Sequence, residues 1–192
     1  MGTIVISENV SLDGVVQDPT GEEGFRHGGW FGQFGGKDLE EWGKVEFQEA
    51  LRAEALLFGR RSYEYFAARW PSRPGEWADR LRNLPKYVVS STPLAGPDWT
   101  NSTTISGEVV SGISKLKREV DGEIVVYASR QLVRTLMDHD LVDELRLTVY
   151  PVVLGSGERL FDEISDKTPL RLVTVSTIGD GLASVTYEVV RG

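Results

Sequence analysis

At 192 residues, with 40% hydrophobic and 26% charged side chains, the chain is long enough for one full core and is read as a single domain, residues 1–192. Its 21 basic against 29 acidic residues give a formal charge of -8 with no basic run, which argues against nucleic acid and anionic membrane surfaces as partners. The absence of cysteine excludes disulfides, thiol catalysis and cysteine metal sites, and with no apolar stretch of spanning length the expectation is a cytoplasmic protein.

The first predicted strand is the apolar run TIVI, residues 3–6, and SLDG at 11–14 follows it. Asp13 therefore sits just beyond a strand end, where ligands bind in open α/β sheets. Residues 17–37 have no periodicity but hold seven of the 21 glycines, with Phe25, Trp30, Phe31 and Phe34 among them. A long aromatic-bearing loop of this kind reads either as a substrate lid or as a surface loop docked on the sheet. Leu39, Trp42, Val45 and Leu51 then mark the apolar stripe of an acidic helix.

ALLF at 55–58 is the second buried run, and it leads through Gly59, Arg60, Arg61 and Ser62 into another helix. Amides at a helix start, a hydroxyl and two guanidiniums make an anion site suited to phosphate. YVVS at 87–90 ends in Ser90, Ser91 and Thr92, hydroxyls that could meet a ribose or a phosphate or simply form a polar turn before Pro93. A helix through Ile113, Leu116 and Val120 stops at Gly122. IVVY at 124–127 then runs into a further helix, Leu132 to Met137, through Ala128, Ser129 and Arg130, a turn without glycine.

The C-terminal third changes pattern. LRLTVY at 145–150 and LASVTYEVV at 182–190 alternate, as half-exposed strands do, and the Asp-Gly pair at 180–181 predicts an antiparallel hairpin. Between them, GSG at 155–157 demands a sharp bend. Unbroken apolar strands alternating with helices, then a hairpin, predict a three-layer α/β/α domain. Its central mixed sheet is mostly parallel. The two histidines, His27 and His139, read best as solvated side chains, and no acidic and histidine cluster suggests a metal site.

The ordered set SLDG 11–14, GRRSYE 59–64, VVSST 88–92, LVDELRL 141–147 and PVVLGSGERLF 151–161 resembles the dihydrofolate reductase-like family. Its nearest branch looks like the reductase domain at the C-terminus of bacterial riboflavin-biosynthesis deaminase–reductases, with its stand-alone relatives. The resemblance implies NADPH, hydride transfer to a pteridine- or pyrimidine-like heterocycle, and cofactor contacts from Gly59, Arg60, Ser62, Ser90, Ser91 and Thr92. It places Asp13 at the nicotinamide and substrate cleft, and a substrate-orienting acid on the first helix, where Glu41 and Glu46 both stand. Ala128-Ser129-Arg130 departs from the glycine pair that the family sets against the pyrophosphate. A positive φ there would strain the backbone by roughly 1–2 kcal/mol, while Arg130 could return about 1.5–3 kcal/mol through a charged hydrogen bond. The competing expectations are a non-catalytic nucleotide-binding module on the same fold and a scaffold dimerised through its aromatic loop. Exposed aromatics and the VVLG run make a homodimer plausible in either case.

Overall fold

The computed structural model describes residues 1–162, 164 and 166–191. Among them, eight strands form one sheet in the order β4-β3-β2-β5-β1-β6-β8-β7. The parallel body is β1 (Thr3–Ser11), β2 (Ala53–Gly59), β3 (Lys86–Val89), β4 (Ser102–Ile105), β5 (Glu123–Tyr127) and β6 (Glu144–Tyr150). The strands β7 (Leu170–Ile178) and β8 (Leu182–Val189) are antiparallel to each other, and β8 is antiparallel to β6. The hairpin expected at the C-terminus is present, and the Asp38 carboxylate caps its turn by accepting the Asp180 amide at 2.6 Å.

Helices cover both faces, as continuous apolar strands require. On one face α4 (Val109–Glu119) and α5 (Arg130–Asp138) pack Ile113, Leu116, Val133 and Leu136 against Ile4, Ile6, Leu57 and Val126. On the other, α1 (Lys37–Arg52), α2 (Arg60–Ala67) and α3 (Glu76–Asn83) pack Ala50, Tyr63, Ala67 and Leu81 against Val5, Leu56, Phe58 and Val125. The alternation of odd and even residues along β1 divides the two cores.

One expectation changes, two elements were not foreseen, and the 17–37 loop takes the docked form. The helix α1 forms, but Leu39, Val45 and Leu51 of its apolar stripe are exposed, and the buried residues are Glu46, Glu49 and Ala50. The buried carboxylate of Glu49 is tolerated there because Arg146 of β6 reaches it at 3.1 Å, while also pairing with Glu123 at 2.8 Å. The polar edge strand β4 and the short helix α3 lack the apolar patterns that would have announced them. The loop at 17–37 is built rather than loose. Asp18, buried, accepts the amides of Glu23 and Phe25 at 3.1 and 3.0 Å, and Trp30 is fully buried beside Tyr150.

Gly157 shows why the 155–157 bend needs glycine. Its φ is +118°, and a Cβ would lie 2.8 Å from Val15 and 2.9 Å from Phe25.

Candidate active site

The strand β5 stops at Tyr127, while β1 continues to Ser11 along β6 and β2 ends at Gly59. The step between these ends opens a cavity of about 1020 Å³ beyond the carboxyl ends of the strands, the usual ligand position in open α/β sheets. One side of it is made by Gly59–Ser62, Ser90, Ser91 and Ala128–Arg130. The other is made by Glu8, Asn9, Trp42, Glu46, Phe66 and Trp77. The sequence-predicted groups at the strand ends are thus brought together in one cleft, except Asp13 and Thr92, which do not line it.

On the first side, α2 and α5 both begin at the cleft, and their first amides have no helical acceptor. The glycine-free turn adopts the left-handed conformation twice in succession, with φ of +50° at Ala128 and +64° at Ser129. No peptide bond among the described residues is cis. Side-chain hydrogen bonds hold this strained pair. Ser129 Oγ accepts the Gly59 amide at 3.0 Å and donates to the Tyr127 carbonyl at 3.0 Å, and the Ser129 amide donates to Ser62 Oγ at 2.9 Å. Two amides that a ligand oxygen could have used are therefore satisfied internally. Arg130 is also committed, to Asp162 at 3.0 Å and Glu158 at 3.3 Å. Arg60 and Arg61 are held loosely, each 3.6 Å from a carboxylate, Glu64 and Glu23 respectively.

On the second side two carboxyl groups face the cleft without a directly paired cation. Burial pushes the Glu8 carboxyl up to about 8, against a hydrogen bond from the Asn9 amide. Burial, then the neighbouring Glu49 and Glu8, raise Glu46 well above the ordinary carboxylate range. Both burial and the neighbouring carboxylates thus favour the protonated form of Glu46 at the cleft wall. Its surroundings are aromatic. Trp42 donates to Asn9 Oδ1 at 2.9 Å and packs edge-on against Phe31 and Trp77, with centroids 4.9 and 5.9 Å apart. Burial, then the neighbouring Glu49 and Glu46, push the Tyr127 hydroxyl well above the ordinary phenol range, while the Trp77 and Trp99 Nε1 atoms are buried with no hydrogen-bond partner among the described residues. Such groups cost roughly 1–3 kcal/mol each and are few in folded proteins.

The remaining site candidates fall outside the cleft or at its margin. Asp13 is a structural clamp. It accepts from Ser11 Oγ at 2.7 Å and from the amides of Leu154 and Gly155 at 3.1 and 2.9 Å, so it pins the 151–157 bend to the end of β1. Burial pulls its carboxyl upward, but these hydrogen bonds prevail and hold it at about 2. The structure thus gives Asp13 a different job from the cleft role expected of it. Of the aromatic loop residues, Phe31 lines the cavity, Trp30 belongs to the core, and Phe34 packs on Tyr150 with centroids 5.5 Å apart. Glu41 pairs with Lys44 at 2.7 Å on the outer face of α1, which separates it from Glu46. His27 and His139 do not line the cleft. Glu8, Trp70, Trp77 and the Tyr127 side chain were not singled out from sequence. A carboxylate placed inside the run VISENV was the available signal for Glu8.

Comparison with known proteins bears on the family and the fold. The family described as the RibD C-terminal domain matches residues 2–184. The uncharacterized protein YwjB of Bacillus subtilis (strain 168) is 29% identical over 173 residues, 90% of each chain. Among solved structures, a riboflavin biosynthesis candidate from Shewanella sp. PV-4 superposes with a TM-score of 0.77 at 21% identity, covering 98% of this chain and 99% of that one. Dihydrofolate reductase from Enterococcus faecalis, complexed with NADP(H), gives 0.57 at 16% identity, covering 97% and 96%. These two likenesses show the fold. Matched along nearly its whole length, the chain belongs to the RibD C-terminal domain family and carries a dihydrofolate reductase-like fold.

Proposed function

We propose that the protein is an NADPH-dependent reductase of a small pteridine, pyrimidine or related heterocycle. The observation that carries the reading is one cleft with a cationic helix start, Gly59–Ser62, and the buried carboxyl of Glu46, which its surroundings push toward the protonated form. That pairing suits a reaction that needs an anionic cofactor held in place and a proton delivered to a reduced ring.

The residues fit a phosphate-bearing cofactor, although not through the β5–α5 turn. Ser129 fills that turn from within, so the phosphate contacts fall to the first amides of α2 and to Arg60 and Arg61. Their present partners are exposed pairs of little strength, and they can be exchanged for a phosphate at small cost. Ser90 and Ser91 lie beside them at the end of β3. NADPH bound there supplies a hydride. The protein orients the acceptor against the wall formed by Phe31 and Trp42, limits water, and holds the proton at Glu46. The complex of the Enterococcus relative with NADP(H) supports the choice of cofactor.

A second reading, a non-catalytic binding module, draws on the internally satisfied Ser129 turn and on Arg130 being tied to Asp162 and Glu158. Titration with NADPH and then NADH, followed by nicotinamide fluorescence, separates the readings together with a search for NADPH oxidation. The reductase reading expects saturable binding that favours NADPH and weakens at least tenfold in an Arg60→Ala, Arg61→Ala double variant. It also expects turnover that falls on the order of 10²-fold in Glu46→Gln. Binding without oxidation of any heterocyclic acceptor would favour the module. In solution we propose a homodimer, with the exposed apolar edge strand β7 as the contact.

A further inference from the structure

Glu46 and Glu49 stand one helical turn apart on α1, and both are buried, at 9% and 3% exposure. At that spacing two helical side chains share a face and lie within reach of each other's charge. Their surroundings differ. Glu49 has a cation: Arg146 donates to its carboxylate at 3.1 Å, and the Tyr127 hydroxyl hydrogen-bonds to it as well. Glu46 lines the cleft and has no directly paired cation among the described residues. One carboxyl is thus anchored behind the wall, and its neighbour opens onto the cavity.

The groups that face Glu46 are Glu49 on its own helix, Glu8 from β1, Tyr127 from β5, and Arg146 and Tyr150 from β6. Burial pushes both tyrosine hydroxyls up, away from ionisation. Glu8 also lacks a cation, and burial pushes its carboxyl up to about 8, so it adds little charge below that pH. Arg146 is divided among Glu49 at 3.1 Å, Glu123 at 2.8 Å and Glu144 at 2.5 Å. One positive charge against three carboxylates leaves the negative field of Glu49 uncancelled. After burial, Glu49 is the largest influence pushing the Glu46 carboxyl up, ahead of Glu8, and Arg146 opposes them least strongly.

We propose that Glu49 is the positioning residue of the cleft's acid: its negative charge, anchored by Arg146, makes Glu46 the carboxyl that keeps the proton and presents it to the cavity. Neighbouring carboxyl groups in unlike environments divide the roles of anion and acid in this way. The inference rests on the reductase reading and deepens it. In that reading the acceptor takes a hydride from the cofactor and the proton from the O–H bond of Glu46. Glu46 is left as a carboxylate beside Glu49, and their repulsion favours its recovering a proton from water. Glu49 keeps its charge throughout and touches no reacting atom.

The test is a pH titration of the full chain, without ligand, followed by NMR of glutamate labelled with carbon-13 at the side-chain carboxyl. Glu46→Gln and Glu49→Gln assign the two resonances. In the wild type Glu49 is expected to ionise first, with Glu46 still protonated at a pH where Glu49 is fully charged. Glu49→Gln is expected to bring the ionisation of Glu46 down by at least one pH unit, a tenfold gain in acidity, with unchanged near-UV circular dichroism. Glu49→Asp keeps the charge and should leave Glu46 near its wild-type value, which a merely structural role would not predict. Glu46 ionising before Glu49 in the wild type overturns the proposal, even where the glutamine variant does not fold. So does a Glu46 ionisation that Glu49→Gln leaves in place, or that Glu49→Asp lowers equally. If the titration runs as expected yet no acceptor is reduced by NADPH, the role of Glu49 stands and the reductase reading falls. If NADPH is oxidised while Glu46 titrates independently of Glu49, the reverse holds.

Discussion

The hydroxyl of Ser129 accepts the Gly59 amide hydrogen at 3.0 Å and so joins the end of β5 to the end of β2 across the mouth of the cleft. The same residue sits at a φ of +64°, where a side chain is strained. Ser129→Ala keeps the strain and orphans the Gly59 amide, and is expected to lower stability by about 1–3 kcal/mol in urea unfolding. Ser129→Gly loses the same bond but also sheds roughly 1–2 kcal/mol of left-handed strain. It should be the more stable of the two and should bind NADPH more tightly than wild type, because the Gly59 amide becomes available. Glycine less stable than alanine would show that the turn carries no strain.

Glu8 gives a pH dependence with a definite sign. Its carboxyl ionises near 8 in the folded chain against a usual value of 4.5. The unfolded chain loses its proton first, so the contribution of neutral Glu8 is complete below pH 4.5 and is gone once the pH has passed about 8. Glu46 acts in the same direction. Glu8→Gln is expected to raise the melting temperature at pH 8.5 by at least about 2 °C, since 1 kcal/mol is worth roughly 2–4 °C at this size. An unchanged pH slope in the variant would remove Glu8 from the account. Asp13 runs the other way. Held at about 2 against 3.8, it stabilises the fold above pH 3.8, and that contribution is lost as the pH falls toward 2.

Gly157 holds the bend that Asp13 clamps. A Cβ there would strike Val15 and Phe25 at a φ of +118°. Gly157→Ala is expected to cost about 2 kcal/mol or more, through overpacking and left-handed strain together. Chemical denaturation of the variant measures this, and a loss below half a kilocalorie would mean the loop yields freely.

The edge strand β7 leaves Leu172 and Val175 exposed by 52% and 64%. A charge at Val175 would sit in the proposed contact between copies. Val175→Lys is expected to convert a dimer into a monomer on light scattering with little loss of folding. Wild-type protein that is already monomeric at tens of micromolar would end the homodimer proposal.

What the sequence determined by itself was the order and type of the buried elements. Apolar runs at β1, β2, β3 and β5 have no solvated face, so only a sheet covered on both sides can hold them, and the helices between them fix its parallel core. The Asp-Gly turn and the glycine at 157 were legible for the same local reason, a backbone geometry that few residues adopt. The burial of Glu46 and Glu49 was not legible, because the apolar residues Leu39, Val45 and Leu51 marked the expected buried stripe, yet all three are exposed. Arg146, 97 residues from Glu49 and brought beside it by β6, makes the burial of Glu49 tolerable. The fate of Ser129 and Arg130 was likewise decided in three dimensions. Their partners Gly59, Ser62, Glu158 and Asp162 are distant in the chain, and hydrogen bonds across such distances exist only once the sheet has assembled.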